Sequence, residues 1–191
     1  VLTKYSLVRD SGEGQSELSE QELLKRYMEK GYEEIFEQHC RTMDEFWNYA
    51  RIEIDGAGPE EEAALAFAQY HMLGMVHRGT DQYSVGAKGL TGEGYKGHVF
   101  WDTELFILPF FEHVLPEIAV NLLKFRYRGL EGARKKAEDY EYKGAMYPWE
   151  AAKDGYEETP LYAALNIHTG KANKVWSGIK EHHVTADIIY A

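Results

Sequence analysis

A cluster of polar and aromatic residues follows a glycine-rich approach, with glycines at positions 86, 89, 92, 94 and 97. Immediately afterwards come His98, Trp101, Asp102 and Glu104. An indole can stack on the apolar face of a pyranose ring. A neighbouring carboxylate can accept hydrogen bonds from two adjacent hydroxyls, each worth about 1.5–3 kcal/mol when charge-assisted. Trp101 and Asp102 are therefore a candidate pair for binding a neutral, sugar-like ligand.

A structural role is the alternative for the same residues. Asp102 precedes a predicted helix that begins at Thr103, so its side chain could act as the N-cap. Trp101 could be a core aromatic residue, and Glu104 in the first turn could favourably offset the helix dipole. The residue types alone leave both interpretations open.

Other kinds of site fit this sequence less well. GEGYKG at 92–97 has the G-x-G-x-x-G spacing of a dinucleotide site, but no predicted strand precedes it. The lysine of a phosphate-binding P-loop is missing, because His98 and Val99 follow Gly97. There is no G-x-S-x-G, H-x-x-x-H or cysteine pair, and His182 and His183 are adjacent. We therefore expect no metal, no cofactor and no serine nucleophile.

The composition narrows the class of protein and of partner. The chain has 191 residues, enough for one domain with a sizeable core, and a formal net charge of −11. Without a basic stripe, this charge argues against a nucleic-acid partner. The longest apolar runs, such as residues 105–111, are far shorter than the roughly 20 residues that span a bilayer, so no membrane partner is expected. Cys40 has no cysteine to pair with, which suggests a buried thiol and a cytoplasmic location.

Helices must position the cluster, and the spacing of apolar residues predicts them over most of the chain. Ser19 and Glu22 match a capping box, and Gly31 separates two helical runs that end at Ala50. Pro59 begins an alanine-rich helix that we expect to be buried. The later predicted helices are residues 103–111, 116–127, 130–141 and 182–191.

Residues 145–180 lose this periodicity. They contain two tryptophans and several tyrosines that would need cover, so we expect an ordered loop lying over a site and not a disordered one. No convincing hairpin is predicted anywhere in the chain. The predicted fold class is therefore all-α.

The stretch GLTGEGYKGHVFWDTELFILPF, residues 89–110, resembles the central catalytic domain of glycoside hydrolase family 65. This family contains maltose, trehalose, kojibiose and nigerose phosphorylases and related hydrolases. The resemblance continues through PEIAVNLLKFRYRGLEGARKKA (116–137), YKGAMYPWEAA (142–152) and KEHHVTADIIYA (180–191), and it is looser before residue 60.

The resemblance implies an (α/α)6 barrel. Residues 1–58 would form a lead-in helical linker and a first helix, and residues 59–191 the N-terminal half of the barrel. Val1 is not an initiator methionine, and residues 182–191 stop without a closing Gly, Asn or Pro. We therefore expect a piece of a longer protein, with about half of the barrel present.

The family's reaction is implied in the same way. Its members cleave an α-glucosidic disaccharide with inversion, usually by attack of inorganic phosphate, to give β-glucose 1-phosphate and a sugar. A glutamic acid protonates the leaving oxygen, and phosphate needs no enzyme base because it is already an anion. That glutamate is implied to lie beyond Ala191, so no catalytic residue is expected in this chain and the chain alone is expected to be inactive.

The resemblance also implies sugar-binding roles for eight residues. Trp101 and Asp102 would hold the glucosyl unit at subsite −1, and Trp149 and Glu150 would line subsite +1. The segment with Trp176 and Ser177 would help to choose the linkage, and residues 156–178 look more like the kojibiose, trehalose and nigerose type than the maltose type. The remaining two, which match a polar pattern on the last helix, are His183 and Thr185.

Two further expectations and two alternatives accompany this interpretation. The substrates would be a disaccharide and phosphate as co-substrate, and the full-length protein could form a homodimer. A hydrolase of the same family is one alternative. A non-catalytic sugar-binding or interaction module is another.

Overall fold

The computed structural model describes residues 2–8, 18–90 and 92–191. The chain divides into two compact units, Val1–Arg51 and Ile52–Ala191. Within the described ranges the regular elements are helices, and β-pairing is limited to isolated antiparallel bridges. This confirms the predicted all-α class. The proposed division at residue 58 stays a prediction.

The first unit contains α1, Glu20–Ala50. Its predicted capping box is present, because Ser19 N–H donates to Glu22 Oε2 at 2.9 Å and Glu22 N–H donates to Ser19 Oγ at 3.3 Å. Gly31 has non-helical φ and ψ of 79° and 167°, which confirms a break between two helical runs. Cys40 is partly exposed, so the expectation of a buried thiol was wrong.

The second unit begins with α2, Pro59–Met75, and Pro59 occupies the first turn as predicted. The expectation of a buried helix was wrong, because only Gln69 and Leu73 are buried while Phe67 and Tyr70 are exposed. Apolar residues lie on several faces of α2, and the described chain covers only one of them. An alanine-rich composition therefore did not distinguish a buried helix from a partly covered one.

Five more α-helices follow in the second unit. Pro116 and Gly129 mark boundaries where the sequence places them, and one short helix lies inside the segment predicted to be a loop. These helices are α3 (Leu108–Val114), α4 (Pro116–Arg128), α5 (Leu130–Asp139), α6 (Ser177–Lys180) and α7 (His183–Tyr190).

The core lies between these helices. Leu108 and Phe111 of α3 pack with Ile118 and Leu122 of α4 in one cluster. Tyr147 packs with α5 and α7 in another. Burial of each large apolar side chain contributes about 1.5–3 kcal/mol. The loops that carry the candidate site therefore rest on a well-packed base.

Four short loop segments of the second unit lie side by side. Antiparallel bridges join Gly86 to Val99, Val99 to Ala151, and Ala151 to Glu157. Val99 and Ala151 exchange two backbone hydrogen bonds, each of 2.9 Å. This pairing fixes the segment before Trp101 against the segment that contains Trp149.

Gly155 brings the following loop close to the junction of α4 and α5. Its φ is 75°, in the left-handed region that favours glycine, and a Cβ on it would lie 2.3 Å from the carbonyl oxygen of Gly129. A Cβ on Gly132 would likewise lie 2.4 Å from the carbonyl carbon of Gly155. Only glycines permit this approach, so part of the predicted loop is firmly packed.

Residues 161–174 differ from the packed part of the loop because all of them are exposed. Ala163 N–H donates to Asn173 O at 2.9 Å, and Asn166 N–H donates to Lys171 O at 3.0 Å, so the two sides of this segment pair with each other. Ile167 near its tip is 87% exposed. We call residues 161–174 the exposed arm. It is ordered by local pairing and not by the cover that its apolar residues were expected to need.

Candidate sugar-binding site

A cavity of about 390 Å³ lies beside the glycine-rich segment in the second unit. It brings together three residues that the sequence singled out, Trp101, Asp102 and Trp149. The other residues of its wall come from the neighbouring loops and the start of the next helix. They are Gly86, Ala87, Tyr95, Phe100, Thr103 and Ile107.

Asp102 presents a carboxylate at this cavity without a structural partner. Its φ and ψ of −54° and −33° are helical, and its side chain makes no capping hydrogen bond. An N-cap residue normally has an extended backbone and a bonded side chain. The side chain is exposed, and no described residue donates a hydrogen bond to it. The capping interpretation is therefore not supported, and the carboxylate is available for a ligand.

Trp101 supplies both an apolar face and an unpaired donor. Its indole Nε1–H is buried and has no acceptor among the described residues. An unsatisfied buried polar group costs about 1–3 kcal/mol, so this N–H is a local cost to the fold. The ring also packs against Phe106, with 5.7 Å between the ring centroids, so Trp101 has a structural role as well.

His183 and Thr185 of α7 are not among the residues that line the cavity, but both contact residues beside it. The His183 ring contacts the indoles of Trp101 and Trp149, with centroid distances of 4.9 and 6.2 Å. The Thr185 hydroxyl accepts a hydrogen bond of 2.9 Å from Tyr147 N–H. His183 thus holds the two indoles in place, while Thr185 fixes the segment that leads to Trp149.

The segment after Asp102 forms a π-helix, Thr103–Ile107. Leu108 N–H donates to the carbonyl of Thr103, five residues back. The sequence predicted an ordinary helix over residues 103–111, so the wider turn is a correction to its first half. Such π-turns often occur at functional sites, where they redirect side chains that a regular helix would stack.

Glu104, in this π-helix, is only 1% exposed. It accepts hydrogen bonds from Arg126 Nε at 2.8 Å and from Arg126 Nη2 at 2.7 Å. The interpretation of Glu104 as a residue that merely offsets a helix dipole was therefore wrong. Arg126 also donates to the carbonyl of Phe100 at 2.9 Å, so this ion pair fixes the backbone just before Trp101.

Glu150 was predicted to line a sugar subsite, but the structure places its side chain away from the cavity wall. Glu150 is 8% exposed, and its Oε1 lies 2.8 Å from His98 Nδ1. Neighbouring Trp149 does line the cavity. Trp149 therefore lines the cavity, whereas Glu150 pairs with the partly buried His98.

Glu157 is a contact centre that the sequence did not reveal. Its Oε2 accepts from Lys136 Nζ at 2.5 Å and from Trp149 N–H at 2.9 Å. Its Oε1 accepts from Glu150 N–H at 3.1 Å and from the Thr159 hydroxyl at 2.7 Å. Burial, the largest single influence, raises the pKa of Glu157, but the hydrogen bonds from Lys136, Thr159 and the Trp149 amide, with the positive charge of Lys136, together outweigh it. The pKa therefore lies below its ordinary value.

We expect these contacts to weaken in acid. Because the pKa of Glu157 in the folded state lies below its ordinary value of 4.5, its stabilisation is complete above that value. It is lost as the pH falls through the folded-state pKa. Hydrogen exchange at the Trp149 and Glu150 amides, corrected for intrinsic rates, should show constant protection from about pH 7 to 5 and falling protection below. A Glu157→Gln variant should lose this dependence, and an equal acid response in that variant would contradict the prediction.

Trp176 and Ser177 do not line the cavity. The Trp176 ring lies between two cations, with Lys174 Nζ 4.3 Å and Lys180 Nζ 4.5 Å from its centroid. Ser177 begins the short helix α6. The structure therefore does not bring these two predicted residues to the same cavity as Trp101 and Asp102.

The glycine-rich segment turns sharply, as predicted. Gly94 and Gly97 have φ of 107° and 74°. Tyr95 between them has φ of 49°, a left-handed conformation that is uncommon for residues other than glycine. Its ring packs 5.2 Å from Phe100 and lines the cavity. The sequence did not indicate Tyr95, because its place in the wall depends on that backbone conformation.

A second cavity, of about 470 Å³, lies in the first unit between residues 3–8 and α1. Its wall is mostly aliphatic and tyrosine side chains, and none of the described residues that line it carries a carboxylate. In the described ranges, no three His, Cys, Asp or Glu side chains are grouped so as to hold a metal ion. None of the described helices combines the length and apolar character needed to cross a membrane.

The chain is similar to carbohydrate-active enzymes over most of its length. Residues 66–191 match the family model of the glycosyl hydrolase family 65 central catalytic domain. A kojibiose phosphorylase from Halothermothrix orenii is 52% identical over 163 residues, covering 85% of this chain and 21% of the relative. A kojibiose hydrolase from Flavobacterium johnsoniae is 36% identical over 162 residues, covering 85% of this chain and 22% of the relative.

A solved structure supports the same assignment. A protein provisionally described as a kojibiose phosphorylase from the human microbiome has a TM-score of 0.64 and 31% sequence identity, covering 72% of this chain and 18% of that one. The chain thus spans about a fifth of the length of these relatives. The helical second unit is consistent with part of an (α/α)6 barrel, as predicted. On these grounds the chain belongs to glycosyl hydrolase family 65, and its residues 66–191 to the central catalytic domain.

Proposed function

We propose that this chain supplies the glucosyl-binding part of an inverting disaccharide phosphorylase. The observation that carries the proposal is the meeting of Trp101, Asp102 and Trp149 around one cavity. Two indoles and a carboxylate without a described partner suit a pyranose ring, which has apolar faces and hydroxyl groups at its edge. A cavity of about 390 Å³ is large enough for a monosaccharide unit.

In this proposal Asp102 accepts hydrogen bonds from adjacent hydroxyls of the glucosyl unit at subsite −1. The apolar face of the Trp101 indole, which lines the cavity, stacks on the same sugar ring. Trp149 covers the leaving sugar at subsite +1, with Glu150 beside it, and Trp176 and Ser177 influence which linkage fits. A glutamic acid beyond Ala191 protonates the leaving oxygen while phosphate attacks from the opposite face.

Kojibiose is the disaccharide that we propose first, since the similar proteins include kojibiose phosphorylases. The complete gene product that contains these residues should convert kojibiose to β-glucose 1-phosphate and glucose only when phosphate is present. Parallel assays with nigerose, trehalose and maltose identify the preferred linkage. Absence of glucose 1-phosphate from all four disaccharides would overturn the proposal.

A hydrolase is the second candidate, favoured by the 36% identity to a kojibiose hydrolase. The same assay separates the two. A hydrolase releases free glucose at the same rate with and without phosphate, because water replaces phosphate as the attacking group. Binding of the disaccharide without turnover in either condition would instead indicate a sugar-binding module.

A further inference from the structure

We propose that Glu157 and Lys136 are positioning residues that hold Trp149 and Glu150 in the conformation needed to bind the leaving sugar. This inference rests on the proposed function, because it assigns a supporting pair to the subsite proposed above. Neither residue lines the cavity, so both would act through the Trp149–Glu150 backbone.

The geometry of Glu157 is specific for this backbone. Each of its carboxylate oxygens accepts one amide N–H from the two residues in question, Trp149 at 2.9 Å and Glu150 at 3.1 Å. The carbonyl of Glu150 is held on the other side by Glu158 N–H at 2.9 Å. The segment that contains Glu157 thus binds the N–H of Trp149 and both the N–H and the C=O of Glu150. Small displacements of groups that position a substrate can cost large factors in rate.

Lys136 explains how the carboxylate can occupy this place. The lysine side chain is 4% exposed, and its Nζ lies 2.5 Å from Glu157 Oε2 and 3.3 Å from the carbonyl of Tyr147. Burial of a charge is costly unless it is paired and hydrogen-bonded. The ammonium group satisfies that condition for Glu157, and it also ties α5 to the backbone two residues before Trp149.

The decisive variant is Glu157→Gln in the complete gene product. Glutamine has the same shape but replaces one oxygen with an NH2 group. Because both oxygens of Glu157 accept hydrogen bonds, that NH2 group must face other donors. In the synthetic direction we expect the KM for the acceptor sugar to rise about tenfold, and the KM for β-glucose 1-phosphate to change less than about twofold.

Matched controls separate positioning from general loss of structure. Glu138→Gln and Lys135→Met change exposed residues of the same types and should leave both KM values unchanged. Lys136→Met, like Glu157→Gln, should raise the KM for the acceptor sugar. A merely structural role would lower the amount of active enzyme or its thermal midpoint without this difference between the two KM values, and that result would overturn the proposal.

A second measurement needs no substrate and therefore does not depend on the proposed function. Hydrogen exchange at the Trp149 and Glu150 amides should accelerate at least tenfold in Glu157→Gln and remain unchanged in Glu138→Gln. Unchanged exchange in Glu157→Gln would overturn the inference even if phosphorolysis is confirmed. Faster exchange in a protein without phosphorolysis would instead retain the positioning role and reject the assigned reaction.

Discussion

Replacement of Asp102 by alanine should reduce turnover by about 10²- to 10⁴-fold, the effect of losing two charge-assisted hydrogen bonds of about 1.5–3 kcal/mol each. The carboxylate faces the cavity and accepts no hydrogen bond from a described residue, so its removal leaves no protein group unpaired. We therefore expect the free energy of unfolding to change by less than about 0.5 kcal/mol. The measurement is kcat/KM for the disaccharide, together with the thermal midpoint of the same preparation.

Glu112→Ala is the matched control, because Glu112 is an exposed acidic residue on the next helix, α3. It should retain both turnover and stability. The opposite pattern in Asp102→Ala, a lowered thermal midpoint with normal activity per folded molecule, would favour the capping role that the backbone geometry argues against. Asp102→Asn adds a finer comparison, since it keeps the size and loses the charge.

The elements of the fold were predictable wherever local chemistry determines them. Ser19 and Glu22 are three residues apart and satisfy each other's backbone groups, so the start of α1 needs no tertiary information. Pro59, Pro116 and Gly129 act equally locally, and the helices begin or end beside them. Burial was less predictable, as α2 shows, because it depends on which faces other elements cover.

Residue types alone indicated the candidate site only where its residues adjoin in sequence, and Trp149 was found through the family resemblance. Trp101 and Asp102 adjoin, and the structure places both at the cavity. The supporting contacts join distant residues: His98 to Glu150 across 52 positions, Glu104 to Arg126 across 22, and Lys136 to Glu157 across 21. No local pattern specifies such a pair, since each partner alone is a residue type that is common on protein surfaces.

Glu150 shows that neighbouring residues of one sequence motif can direct their side chains to different sites. Trp149 and Glu150 lie in a bend, and their side chains point in different directions. Trp149 faces the cavity, while Glu150 faces His98 with an Oε1–Nδ1 distance of 2.8 Å. The resemblance assigned both residues to the same subsite. In the proposed enzyme, Glu150 would reach the sugar only at the edge of the subsite or after exchanging its histidine partner.

Removal of one member of the buried pair Glu104 and Arg126 should strongly destabilise the second unit. Side chains of both partners are almost fully buried, with exposures of 0% and 3%, and one guanidinium nitrogen, Nη1, has no described acceptor. Removal of Glu104 therefore leaves a buried positive charge without its counter-ion. We expect Glu104→Ala or Arg126→Ala to lower the free energy of unfolding by about 3–5 kcal/mol. Denaturant unfolding of the complete gene product measures this change.

The exposed pair Glu131 and Arg134 offers the control, since it joins the same residue types on the surface of α5. Its removal should cost at most about 1 kcal/mol, because solvent screens the charges. A double variant, Glu104→Leu with Arg126→Met, should be more stable than either single alanine variant, because no charge is left unpaired. The single variants of the buried pair should lower the free energy of unfolding more than those of the exposed pair. An equal or smaller effect would contradict the prediction that an unpaired buried charge destabilises the second unit. The role of Glu104 and Arg126 would then be confined to holding the Phe100 carbonyl in place before Trp101.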